Sequence, residues 1–199
     1  MNVWKKMAPF ERRELYYFDT TKEFEAVELA ARLYRMIREE QEETQKREIL
    51  LLCIGTDRST GDSLGPLIGH KLQERHLNHV RILGTLNRPV HAMNLEDYVE
   101  TMERSYPNHL VIAVDASVGS TNHIGCITLG RGSLKPGLGV SKELKSVGDI
   151  FITGIVSSCG NYDPLMLQSI RLAVVMRLAD CISDSICLVE KLWDSSVPV

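Results

Sequence analysis

Three apolar runs separated by helical patterns constrain the fold of this 199-residue chain more than any other feature. They are Ile49–Ile54 (ILLLCI), His109–Val114 (HLVIAV) and Ile150–Val156 (IFITGIV). Because a strand that is covered on both faces carries apolar residues without strict alternation, such runs are typical of buried strands in a parallel sheet. Two shorter strands are predicted at Val80–Gly84 and Ile124–Leu129.

Helical patterns connect these strands. An apolar stripe at helical spacing predicts a helix over residues 20–45, which Asp19, Thr20 or Thr21 can cap. Further helices are predicted at Ser63–His76, Asn94–Tyr106 and Asp163–Lys191. The alternation predicts a single α/β domain, residues 1–199, with an open, mostly parallel sheet flanked by helices. We expect an N-terminal helical segment at residues 1–48, a sheet core with the site loops at 49–160, and a C-terminal helical segment at 161–199.

Composition argues against several classes of function. The net charge of −3 gives no bulk electrostatic reason to bind nucleic acid or an anionic membrane surface. No run reaches the roughly 20 apolar residues that span a bilayer, and the N-terminus has no apolar signal region. The five cysteines include no CxxC spacing. We therefore expect a cytoplasmic protein without a disulfide framework or a structural zinc site.

Polar features follow two of the predicted strands. The loop after the first run carries Asp62 to the start of a helix, and Asp115 directly follows the run at residues 109–114. Because ligands of open α/β sheets bind beyond the carboxyl ends of the strands, we expect the two carboxylates to face one crevice. A glycine-rich loop, Lys135-Pro-Gly-Leu-Gly-Val-Ser-Lys142, and the segment Ser157–Asn161 are further polar features.

Two neighbouring carboxylates suit three kinds of chemistry. They can share a proton and activate water as in aspartic proteases, hold a divalent metal ion with further ligands, or act as separate acid and base on a glycoside. Two interpretations do not involve catalysis: helix capping would explain Asp62, and a hydrogen bond to a loop amide would explain Asp115. Among the histidines, His91 is the candidate to reach the crevice. Residue types and spacing leave these readings open.

The same motifs resemble those of a protease family. The run Gly55-Thr-Asp-Arg-Ser-Thr-Gly-Asp-Ser-Leu-Gly-Pro66 resembles the first active-site segment of the bacterial spore germination protease, and His109-Leu-Val-Ile-Ala-Val-Asp-Ala116 resembles its second aspartate segment. Lys135–Val140 with Lys142–Leu144 is similar to its glycine-rich loop, and Ile152–Ile155 to the strand after it. As a whole, the chain is identified as a member of the YyaC-type family of sporulation proteins. The hydrogenase maturation endopeptidases are similar at a greater distance and imply their own α/β fold, phosphorylase/hydrolase-like in type.

This resemblance implies an atypical, metal-independent endopeptidase without a cofactor, whose two essential aspartates correspond to Asp62 and Asp115. We expect the two aspartates to share one proton, so that the ionised one acts as base toward water while the protonated one polarises the scissile carbonyl. A substrate or oxyanion loop is expected from Gly55, Thr56, Gly137, Gly139 and Lys142.

The resemblance to the maturation endopeptidases does not predict a bound metal ion at the two carboxylates. In the maturation endopeptidases a histidine joins the two carboxylates to hold nickel. Here Ser141 and Lys142 occupy the region of that histidine, and His123 lies too early in the chain.

The implied substrate is a protein or peptide, with small acid-soluble spore proteins as one candidate. The implied location is the cytoplasm of the sporulating cell or the spore interior, with no nucleic-acid or membrane partner. Two rival interpretations stay open: a catalytically inactive protein that binds a peptide or partner during sporulation, and a metal-dependent maturation endopeptidase. Homo-oligomerisation stays open as well.

Overall fold

Six strands form one sheet in the described part of this computed structural model, which comprises residues 14–136, 144–158 and 169–194. In chain order they are β1 (Leu15–Asp19), β2 (Glu48–Cys53), β3 (Val80–Leu83), β4 (His109–Gly119), β5 (Cys126–Arg131) and β6 (Ile150–Ser158). Their spatial order is β1-β5-β6-β4-β2-β3. The four neighbouring strands β6, β4, β2 and β3 pair in parallel, whereas β5 runs antiparallel to both β6 and β1. The predicted mostly parallel α/β sheet is thereby confirmed.

Helices cover both faces of this sheet. They are α1 (Ala26–Thr44), α2 (Leu64–Gln73), α3 (Leu95–Ser105) and α4 (Leu172–Asp194). A short 3₁₀ turn, Gly61–Ser63, leads into α2. Among the described residues, none of the helices combines the length and the hydrophobicity of a membrane-spanning segment.

The core has two layers because β2 is buried on both sides. Its residues Ile49, Leu51 and Cys53 pack in one cluster with α1, α2 and α4, and we call this side the three-helix face. Leu50 and Leu52 alternate with them and pack against α3, on what we call the α3 face. Continuous apolar sequence is the pattern that burial on two faces requires, since successive side chains of a strand point to opposite sides.

Two boundaries in the N-terminal segment were predicted wrongly. Residues 15–19 are not helical but form β1, an edge strand that pairs antiparallel with β5. The first helix begins at Ala26 rather than near residue 20, and its N-cap position is Glu25, which makes no side-chain capping bond. Asp19 does not cap α1, because its carboxylate accepts hydrogen bonds from the amide and the hydroxyl of Thr21 in the turn after β1.

Other boundaries differ by a few residues or lie outside the described residues. The second helix ends at Gln73, and the last begins at Leu172 in the described part, with residues 159–168 outside it. Asn94 stands at the N-cap of α3 as predicted, but its side chain accepts from the amide of His91 instead of a helix amide. Strand β4 is longer than predicted and continues five residues past Val114.

Candidate functional site

The site begins where β2 leaves its neighbour β4. The last register pair is Cys53 with Val114, and the amide of Ile54 still donates to the carbonyl of Val114 at 2.7 Å. The next amide, that of Gly55, donates to Val90 on the opposite side, also at 2.7 Å. The chain therefore turns away from β4 at Gly55, and β2 does not pair with the rest of that strand.

Two glycines allow the loop after β2 to fold back tightly. Gly55 has φ of +138°, and a Cβ there would lie 2.0 Å from the carbonyl oxygen of Asp62. A Cβ at Gly65 would lie 2.1 Å from the carbonyl oxygen of Ile54. The loop is closed by a hydrogen bond of 3.0 Å from the amide of Thr56 to the carbonyl of Asp62. Asp62 is thus held against the end of β2 by backbone contacts that only glycine permits.

Asp62 is not the cap of α2. It lies inside the 3₁₀ turn, and the N-cap position belongs to Ser63, whose hydroxyl donates to the carbonyl of Thr60. Burial raises the pKa of the Asp62 carboxyl to about 6, against a smaller lowering by a hydrogen bond from the backbone of Thr56. The capping interpretation of Asp62 is therefore wrong in its geometry, and Thr56 is placed where it acts on this carboxyl.

The sequence predicted Asp115 at the end of its strand, but in the structure it lies within β4. It is the first residue beyond the pairing with β2, and it stays in register with Thr153 of β6. Its side chain is 5% exposed, and its Oδ1 accepts a hydrogen bond of 2.8 Å from the amide of Ala116. If β2 continued, the carbonyl of its next residue would accept a hydrogen bond from this amide. This follows because alternate residues of a strand direct their backbone groups to the same edge.

The structure brings Asp62 and Asp115 together as one electrostatic unit, which we call the carboxylate pair. Burial raises the pKa of Asp115 well above its ordinary value, and the nearby charge of Asp62 raises it further, while the bond from the Ala116 amide opposes both effects. Both causes favour the protonated form of Asp115, whereas Asp62, with a pKa of about 6, is mostly ionised at neutral pH. Because Oδ1 of Asp115 accepts the hydrogen bond from Ala116, Oδ2 is the oxygen left to carry a proton.

A row of three hydroxyl groups beside Asp115 was missed in the sequence. The hydroxyl of Thr153 is 2.9 Å from that of Ser117 and 2.6 Å from that of Thr128, so that the row crosses β4, β6 and β5. Ser117 shares the α3 face with Asp115, because it lies two residues further along the strand. Only this spacing was readable beforehand, since the other two hydroxyls arrive by strand pairing over long sequence distances.

The remaining predicted site residues divide into two groups. Gly55 and Thr56 lie in the loop that holds Asp62, whereas Gly137, Gly139 and Lys142 fall outside the described residues. The backbone of His91 is used in the turn before α3. Within residues 14–136, 144–158 and 169–194, no group of three or more His, Cys, Asp or Glu side chains could hold a metal ion.

The fold and the site define an α/β protein with a coupled carboxylate pair beyond the end of a central strand. A family model described as "Protein of unknown function (DUF1256)" matches residues 17–185, and the chain belongs to this family. It is 44% identical over 145 residues to the uncharacterized protein YyaC of Bacillus subtilis (strain 168), which covers 73% of this chain and 71% of that protein. The YyaC-type family indicated by the motifs is confirmed.

A solved structure is also similar to this chain. It is the crystal structure of a NiFe hydrogenase maturation protease, HycI, from Thermococcus kodakarensis KOD1. The match covers 78% of this chain and 98% of that chain, with 19% sequence identity and a TM-score of 0.45. This likeness is one of chain path only.

Proposed function

We propose that this protein is a peptidase in which Asp62 and Asp115 hydrolyse a peptide bond without a metal. The observation that carries the proposal is the unequal environment of the two carboxyl groups: Asp62, with a pKa of about 6, ionises near neutral pH, whereas burial and the charge of Asp62 favour the protonated form of Asp115. Two carboxyl groups with pKa values driven apart supply a base and an acid in one place. The resemblance of the two aspartate segments to the germination protease supports the same reaction.

The proposed reaction has two steps. In the first, Asp62 takes a proton from a water molecule while the water oxygen bonds to the carbonyl carbon, and the proton on Oδ2 of Asp115 stabilises the developing oxyanion. In the second, Asp62 gives its proton to the amide nitrogen as the carbon–nitrogen bond breaks and the carbonyl re-forms. Asp115 returns to its initial state, and both carboxyl groups are ready for another cycle.

Substitution of each carboxyl separately tests this proposal. With small acid-soluble spore proteins and the disordered protein β-casein as substrates, we expect Asp62→Asn and Asp115→Asn to lose at least about a thousandfold in cleavage rate, because each removes one of two groups that act as a unit. Asp57→Asn, at an exposed position of the same loop, is the matched control and should cleave normally. Cleavage is followed by mass spectrometry, and circular dichroism checks the fold of every variant.

Two outcomes would contradict the proposal. Full activity in both variants would rule out the carboxylate pair, and absence of cleavage by the wild-type protein on these and on sporulation extracts would favour a binding protein without catalysis. Metal analysis of the purified wild-type protein, with activity measured before and after chelation, separates the metal-independent reaction from that of a maturation endopeptidase.

A further inference from the structure

One edge of β4, next to the carboxylate pair, has no neighbouring strand among the described residues. From His109 to Val114 this edge pairs with β2, but β2 ends at Cys53 while β4 continues to Gly119. On its other side β4 pairs with β6 along the whole extension. Residues 116–119 therefore present about 13 Å of strand edge, at about 3.3 Å per residue, on which no other described strand lies. We call these residues the free edge of β4.

Backbone groups of the free edge face the side on which β2 ends. The carbonyl of Val114 faces β2, so that the carbonyl of Ala116 faces the same side, beyond the end of β2. No loop or side chain of the described residues donates a hydrogen bond to this carbonyl. Ala116 itself is buried, whereas Ser117, Val118 and Gly119 are partly exposed. An unpaired stretch of strand edge is a template for pairing with another chain.

The position of the free edge relates it to the proposed chemistry. It begins directly after Asp115, whose carboxyl accepts a hydrogen bond from the amide of Ala116, and Asp62 lies close to the point where β2 ends. A chain that added to the edge would continue the line of β2 and bring its backbone to the carboxylate pair. The hydroxyl of Ser117 lies on the α3 face of the same stretch and would meet alternate side chains of the added chain.

We propose that the free edge of β4 binds the substrate as an added β-strand. The occupant is an extended, unfolded segment of polypeptide, recognised mainly through its backbone and with small or hydrogen-bonding side chains on the Ser117 side. This inference rests on the proposed function for the identity of the bound chain as substrate. It adds that the protein selects extended backbone, so that folded proteins are not bound until a segment is unfolded.

Hydrogen exchange on the Asp62→Asn variant tests the docking without loss of the peptide by cleavage. The probes are short peptides that tile β-casein, and the tightest binder is carried forward. We expect exchange of the segment 116–119 to slow by about tenfold or more when peptide is bound. The outer edges of β1 and β3 are the internal controls, because they are the other strand edges of the described sheet, and their exchange should not change.

Methylation of the peptide backbone gives a second, independent signature. A strand directs alternate amides toward its neighbour, so N-methylation at every second residue should weaken binding by about tenfold or more, while methylation at the intervening residues should have little effect. Protection that appears only at β1 or β3, binding that is insensitive to N-methylation, or failure of every peptide to bind would overturn the inference. So would protection of 116–119 that depends on protein concentration without peptide, since a second copy would then occupy the edge.

The outcomes separate this inference from the proposed function. Cleavage by the wild-type protein without protection of 116–119 would overturn the docking and leave the peptidase proposal intact. Protection of 116–119 without cleavage by the wild-type protein would support the docking and overturn the peptidase proposal, and the protein would then be a peptide-binding protein.

Discussion

Gly55 and Gly132 share a left-handed backbone but differ in their surroundings. Their φ angles are +138° and +93°, and a Cβ at Gly132 would have no neighbour within 4 Å, whereas one at Gly55 would overlap the carbonyl oxygen of Asp62. The positive φ angle alone therefore does not distinguish the two positions. The crowding at Gly55 is what links this residue to the site.

We expect Gly55→Ala to impair the site much more than Gly132→Ala. The substitution at Gly132 should lower the free energy of unfolding by about 1 kcal/mol, the usual cost of a side chain at positive φ. At Gly55 the overlap should raise the loss to about 3 kcal/mol and displace Asp62, with a large fall in cleavage rate. Urea denaturation and the cleavage assay measure the two effects. Equal losses in the two variants would mean that the contact between the loop and β2 does not position Asp62.

At the level of single residues, the sequence predicted which two carboxyl groups come together but not how they are held. Asp62 and Asp115 were identifiable because each follows an apolar run. Their unequal environments were not, because the burial of Asp115 depends on strands that are distant in sequence. The bond from Ala116 to Asp115 was hidden for a related reason, since it exists only where β2 has already ended.

Among the secondary-structure elements, the free edge of β4 follows from a difference in length between neighbouring strands. The apolar run at residues 109–114 predicts a strand of the same length as its partner, and the polar Asp115 suggests an end. In the structure, pairing with β6 extends the strand to Gly119 through a shift in register between Ser117 and Val118. Partner strands decided this boundary, and local sequence carries no signal for them. The same holds for β1, which is defined by its pairing with β5.

Helix α4 is fastened to the segment before β3 by one buried carboxylate. Glu190 is 7% exposed, and its Oε1 accepts hydrogen bonds from the amides of Asn78 and His79, the latter at 2.9 Å. These amides precede β3, so the contact joins the C-terminal helix to an edge of the sheet. Its other oxygen, Oε2, is buried without a hydrogen-bond partner among the described residues.

We expect Glu190→Leu to destabilise the protein by about 2–3 kcal/mol, because two amides lose their acceptor at a position where water has little access. Glu190→Gln is the matched control, since its amide oxygen can still accept both bonds, and it should cost clearly less. Urea denaturation at neutral pH measures both variants. A loss of equal size in the two would show that the charge of Glu190, and not its role as acceptor, stabilises the contact.

On the scale of the whole molecule, the carboxylate pair makes folding depend on pH. The pKa of Asp62 is raised from 3.8 to about 6 in the folded protein, and that of Asp115 is raised as well. The folded state then binds protons that the unfolded state releases, so the stabilising contribution is fully present below the unfolded pKa values. It is lost as pH rises through the folded values. The site therefore weakens the fold under the neutral conditions in which we propose that it works.

We expect Asp62→Asn to remove much of this loss. Because one pKa unit corresponds to about 1.4 kcal/mol, the free energy of unfolding of the variant should gain about 2–3 kcal/mol over the wild type between about pH 4 and pH 7. The increase should begin near pH 4, where the unfolded carboxyl ionises, and level off above the folded pKa of about 6. Urea denaturation at a series of pH values measures this difference, with Asp57→Asn as the control that should follow the wild type throughout. A difference that stays constant with pH would mean that Asp62 is not desolvated by the fold, and the unequal protonation on which the peptidase proposal depends would fail with it.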